Sequence, residues 1–107
     1  MSHLVSVQLD ALAVLLDELT ALGRQLDEDA QLSMSTSRSL GAALSGAAGA
    51  AADDVGADWA AVLTVLAART LAVATTLDAA LAGYRTADAG LAERIGAGRH
   101  GLAAVAR

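Results

Sequence analysis

Tyr84 and Asp88, in the run Tyr84-Arg85-Thr86-Ala87-Asp88, are the two polar side chains whose spacing says most in this 107-residue sequence. Four residues apart on a helix, they project from one side. The carboxylate also interrupts an otherwise apolar arc between Tyr84 and Leu91. A charge in that position either serves recognition or marks a bundle end that is already wet. Other reactive groups are sparse. His3 and His100 lie near opposite ends of the chain, and neither has a second His or a Cys at metal-ligand spacing, so both are expected to be solvated. Asp27-Glu28-Asp29 has no following turn glycine and no later bidentate Glu, and reads as a solvated acidic patch, not a calcium loop.

Gly96-Ala97-Gly98-Arg99-His100-Gly101 fits G-x-G-x-x-G letter for letter. A phosphate cradle of that kind follows a strand and opens a helix. Here a long helical pattern precedes it, so it is read as a helix stop. Nucleophilic catalysis needs a nucleophile, a base and a group that orients the base. The chain has no Cys and no Lys, and its His residues are terminal. No catalytic residue, metal ligand or cofactor site is assigned, and the chain is not expected to be an enzyme.

The elements that must carry Tyr84 and Asp88 follow from composition. Hydrophobic residues make up 55% of the chain and aromatics only 2%, with 10 Gly and no Pro. A core built from these residues is thin and alanine-lined, and one domain suits the length. Twelve acidic against seven basic residues, all Arg, leave a net charge of −5. That balance lacks the basic footprint needed for nucleic acid or for polybasic membrane attachment. The N-terminus has no basic stretch leading into an apolar run, so no Sec signal is expected. Charges at Asp58, Arg69, Asp78 and Arg85 divide the later apolar stretch, so no membrane span is expected either.

Ala and Leu dominate and nothing breaks helices, which predicts an all-α fold. Leu9, Leu12, Leu16, Leu19 and Leu26 recur at spacings of three and four. With Val5, Leu15 and Leu22 they span an arc of roughly 140°. Asp10, Asp17, Arg24 and Glu28 gather on the other side. This predicts a first helix over about residues 6–38, capped by Ser6, with Asp10 in its first turn and a frayed end in the hydroxyl-rich segment Ser33–Ser39. The bend is placed at about 41–47, where Gly41 and Gly46 permit reversal and Ser45 can cap the next helix. A second helix over about 48–95 aligns Val55, Trp59, Val62, Leu63, Leu66, Val73, Leu77, Leu81, Tyr84, Leu91 and Ile95 within roughly 100°. Asp78 and Arg85 lie off that arc as solvated charge. Residues 96–107 follow as a tail of disordered type. Trp59, the sole indole, is read as a core or interface anchor.

A two-helix hairpin has little interior, and the apolar arc of the first helix is wider than one neighbour covers. A second hairpin, giving a four-helix bundle, is the simplest remedy. Leu9, Leu12, Leu16, Leu19, Leu26, Trp59, Val62, Leu66, Val73 and Leu77 are the residues expected at that interface.

In this setting, Y-x-x-x-D near the end of the second helix of a hairpin resembles the export signal of type VII (ESX) secretion substrates of actinobacteria. The chain is similar to the WXG/ESAT-like superfamily, EspC-like branch, over about residues 5–95. Where the family's name-giving Trp-x-Gly stands at the bend, this chain has Leu44-Ser45-Gly46. The glycine is kept and the tryptophan is replaced. Trp59 stands where the family often carries an aromatic in its second helix. The stretch Val7-Gln8-Leu9-Asp10-Ala11-Leu12 is also similar to the start of PE domains, with Leu9-Asp10 in place of their Pro-Glu pair.

The resemblance implies a helix-turn-helix protein exported folded as a dimer, without a Sec signal, to the cell surface or beyond. Tyr84 and Asp88 are then the export signal, and Leu44 and Gly46 the bend motif. In the family the bend Trp lies beside the partner's export motif; with Leu44 this chain either supplies only the Y-x-x-x-D half and relies on its partner for the bend Trp, or belongs to a divergent branch that uses another apolar residue there. The partners implied are a second copy or a related hairpin, and the secretion ATPase. An alternative is an adaptor that pairs with a larger secreted toxin, marked by co-purification with that toxin. A further alternative, insertion of the amphipathic faces into membranes, is disfavoured by the charge.

Overall fold

The computed structural model describes residues 2–106, with side chains described over 4–99. His3 and His100 thus fall outside the described side chains, and Arg107 outside the described residues. Two helices make up the chain, α1 (Ser2–Ala43) and α2 (Gly46–Ala106). Only Leu44 and Ser45 between them are not helical among the described residues. The fold is all-α, a helical hairpin, as the Ala/Leu composition without proline predicts.

Both helices outrun their predicted ends. α1 begins at Ser2, so Ser6 is not its cap and Asp10 is not in its first turn. It also continues through Ser33–Ser39 instead of fraying. Part of the reason is packing: Ser37 lies against Gly56 of α2. The reversal is tighter than 41–47. Leu44 N–H donates to the Leu40 carbonyl at 3.0 Å. Gly46, at φ +67°, is the one described residue in the left-handed region and makes the turn. Gly41 belongs to α1, where it abuts Asp53. Ser45 stands directly ahead of α2, the position where a hydroxyl caps a helix.

At the other end, α2 passes through Gly96, Gly98 and Gly101 to Ala106. The predicted stop at Ile95 fails because none of these glycines takes a positive φ. Each costs about 1 kcal/mol relative to alanine, which weakens a helix without ending it, and no proline follows.

The chain divides into two compact units. The bend unit spans Asp17–Thr75, and the terminal unit combines the residues up to Leu16 with those from Thr76 onward. In the bend unit the helices meet through small residues. Gly23 and Ala30 of α1 are buried, as are Gly56, Ala60, Leu63, Ala67 and Ala74 of α2. A Cβ on Gly23 would fall 2.7 Å from Leu71 Cγ, and one on Gly56 would occupy the place of the Ser37 side chain. Gly49, in the first turn of α2, sits where a Cβ would be 2.9 Å from the Gly41 carbonyl oxygen.

On an ideal wheel the buried α2 positions span roughly 60°. The large residues Val55, Trp59, Val62, Leu66 and Val73 lie roughly 90° to one side of them. All five are exposed. The apolar arc seen in the sequence is thus not the surface with which α2 meets α1, except at Leu63 and, in the terminal unit, Leu81.

The terminal unit is more loosely filled. Leu9 and Leu81 are its buried residues among those described, with Val5, Ala13 and Leu16 half-buried around them. Arg85 Nη2 donates to Asp10 Oδ1 at 3.1 Å, the one ion pair among the described residues. Arg85, expected as a free solvated charge, instead ties α2 to α1.

Candidate functional site

The feature with functional potential is an open apolar face, present in each unit and built from both helices. In the bend unit, Leu32 and Leu40 of α1 and Val55 and Trp59 of α2 line one groove of about 600 Å³. Its α1 wall also carries the hydroxyls of Ser33, Thr36 and Ser37, and its α2 wall is otherwise Ala51, Ala52 and Gly56. In the terminal unit, Leu12 and Leu15 of α1 and Leu77, Leu81 and Tyr84 of α2 line a smaller depression of about 90 Å³.

Among the described residues no side chain is fully buried, and nineteen large apolar residues are exposed, Trp59 at 56% among them. Exposed large apolar residues gathered along one groove mark an interaction site.

The expected interface residues divide accordingly. Leu9 is buried inside the hairpin, and Leu16, Leu19 and Leu26 are half-buried there. Leu12, Trp59, Val62, Leu66, Val73 and Leu77 are exposed on the chain. The polar groups on α2 do not obstruct covering this surface. Thr64, Thr70, Thr75 and Thr86 each donate to the carbonyl four residues back, at 2.8, 2.7, 3.0 and 2.9 Å. Their hydroxyl protons are therefore satisfied within the helix, and burying them leaves no orphan donor.

Tyr84 and Asp88 both belong to the terminal unit but differ in setting. Tyr84 is 64% exposed, in line with the outward apolar residues. Asp88 is half-buried. It lines a separate groove of about 480 Å³ with Val5, Leu91, Ala92, Ile95, Gly96 and Arg99. Helical register explains the difference. Ala60, Ala67, Ala74, Leu81 and Asp88 repeat every seven residues, so Asp88 continues the inward heptad that Leu81 begins in this unit. Tyr84 lies one helical step toward the open face. The pair therefore presents a phenol outward and a carboxylate at the edge of the inter-helix seam.

Leu44 and Gly46 sit in the bend unit, Leu44 exposed and Gly46 making the reversal. Asp27 and Asp29 accept hydrogen bonds from Gln31 and Gln25 at 3.2 and 3.1 Å. No group of three His, Cys, Asp or Glu able to hold a metal occurs among the described residues.

The inward heptad is the feature that large-residue periodicity missed. Its signal was present as small residues at seven-residue spacing, which a search for Leu, Val and aromatics passes over. A second correction concerns length. Between Asp58 and Asp78 the only charge is Arg69. By length and composition α2 holds an 18-residue window apolar enough to cross a membrane, contrary to the expectation that none exists. One Arg mid-window costs about 2.5–3.5 kcal/mol and does not void the count. Core helices of water-soluble proteins pass the same test, so this property by itself assigns no membrane role.

Comparison of the chain with family models, curated proteins and solved structures finds no match.

Proposed function

We propose that the chain is a small, non-enzymatic substrate of a type VII (ESX) secretion system. It pairs through its open apolar face with a second helical hairpin, completing a four-helix bundle, and offers Tyr84 and Asp88 to the secretion machinery. The observation that carries this reading is the face itself. Large apolar residues on both helices stand unpaired beside a seam that closes through Gly and Ala. An apolar partner of similar construction removes that surface from water at about 25 cal/mol per Å².

The export assignment draws on the Y-x-x-x-D spacing and on the exposure of Tyr84. A phenol held outward on a helix is a ready anchor for a receptor, because tyrosine combines apolar area with a polar tip at small entropic cost. Leu44, where the superfamily carries its bend Trp, leaves any aromatic contribution at that place to the partner. Delivery to the cell surface or the medium, and contact with a motor ATPase, follow from the same reading. Replacing Tyr84 by Ala tests it: export is lost while helicity and pairing persist. Unchanged secretion of the folded variant overturns the signal assignment.

A further inference from the structure

The inward repeat of α2 runs Asp53, Ala60, Ala67, Ala74, Leu81, Asp88. Its four apolar members are buried. The charged members at its two ends are not: Asp53 is exposed and Asp88 half-buried. What α1 sets against them differs. Asp53 abuts Gly41, which has no side chain to crowd it. In the terminal unit, Leu9 and Leu81 are buried in one layer. One layer outward α1 still supplies an apolar residue, Val5, while α2 supplies Asp88, and the two line an open groove of about 480 Å³.

Nothing nearby neutralises the Asp88 carboxylate. Among the described residues it accepts no hydrogen bond and has no ion pair. Arg85, three residues before it, is held by Asp10. Arg99 lines the same groove but stands eleven residues further on, roughly 16 Å along the axis and beyond the reach of its side chain. Glu93 and Arg94 lie roughly 120–140° around α2 from Asp88. Between Leu4 and Leu16, Asp10 is the only charged residue of α1. Drawing Val5 onto α2 would therefore take an unpaired carboxylate out of water, which contact with one valine does not offset.

We propose that Asp88 is a wedge. Its charge holds the outer end of the seam between α1 and α2 open, and this end separates ahead of the Leu9–Leu81 layer. The role is distinct from that of Tyr84, which faces outward and leaves the seam untouched. It needs no partner chain and goes beyond the export reading.

Substitutions in the full chain, followed by amide hydrogen exchange and thermal unfolding, test the wedge. Asp88→Leu extends the apolar repeat to Val5. The amides of residues 6–10 on α1 then exchange on the order of tenfold more slowly, and the unfolding midpoint rises. Asp88→Asn keeps the shape and loses the charge. It slows these amides less, because an unpaired amide is still costly to bury. Asp78→Leu is the control for helix propensity: it makes the same change at an exposed position of α2 in the same unit, and the α1 amides keep their wild-type rates.

The slowing in Asp88→Leu is independent of protein concentration. A slowing that grows with concentration reports contact between copies and overturns the proposal, as do wild-type rates in Asp88→Leu or a slowing no greater than in Asp78→Leu. Seam closure is read without export, and Tyr84→Ala tests the signal without altering Asp88, so either reading can fail alone.

Discussion

Glycine has opposite meanings in the two units. In the bend unit Gly23, Gly49 and Gly56 sit where a Cβ would meet Leu71, a backbone carbonyl or Ser37. In the terminal unit Gly83, Gly90, Gly96 and Gly98 have nothing within 4 Å of the place a Cβ would take. The first set permits close approach, and its cost in helix propensity is recovered by contact between α1 and α2. The second set carries the propensity cost without that return. Among the described residues, five buried apolar ones in the bend unit against two in the terminal unit reflect the same asymmetry. Among the described residues the better-packed helices hold the bend, while Tyr84 and Asp88 lie on the more lightly packed pair. Local opening free energy follows such packing, so the Tyr84–Asp88 segment is expected to exchange its amide hydrogens sooner than the seam around Ala60 and Ala67.

Substitutions break or sharpen this contrast. The largest effect is expected from Gly56→Leu, which drives a side chain into Ser37 and forces the helices apart. Overpacking of this kind costs about 2–3 kcal/mol, read as a lower urea midpoint at fixed protein concentration. Gly46→Ala is next. Holding alanine in the left-handed region costs about 1–2 kcal/mol, and the loss appears in thermal unfolding with the helix content of the folded state unchanged.

The sign then reverses in the terminal unit. Gly90→Ala gains about 1 kcal/mol from propensity, since nothing stands in the way of the methyl. A destabilised Gly90→Ala would show that the terminal unit is as closely packed as the bend unit. The smallest effect belongs to the Arg85–Asp10 pair, whose side chains are 48% and 74% exposed. Asp10→Asn is expected to cost less than about 1 kcal/mol. The cost should vanish in high salt and be confined, in hydrogen exchange, to the terminal unit.

Much of the fold was legible in the residues. The absence of proline and the weight of Ala and Leu predict two helices, and Gly46 marks the reversal. The boundaries were less legible, because hydroxyl-rich and glycine-rich segments lower helix propensity by only about 1 kcal/mol per residue. Neighbouring helix and tertiary contact override penalties of that size, as they do at Ser37 and through Gly96–Gly101. The setting of Asp88 was legible only in part. Spacing places it on the same flank as Tyr84, but whether that flank is wet depends on which stripe α1 occupies, and Val5 beside Asp88 is a tertiary fact.

The amino-acid sequence by itself determined that the chain is helical, where it turns, that it carries more apolar surface than two helices can hide, and that Tyr84 and Asp88 share a helix flank. Periodicity is a local property and a single chain displays it. The tertiary structure decided which of two adjacent stripes on α2 meets α1. Large residues make the conspicuous stripe, yet the small ones allow the backbones to approach, and close approach maximises contact along the whole length of a seam. The choice for Gly56, Ala60, Ala67 and Ala74 is what leaves Trp59, Val62, Leu66 and Val73 facing outward.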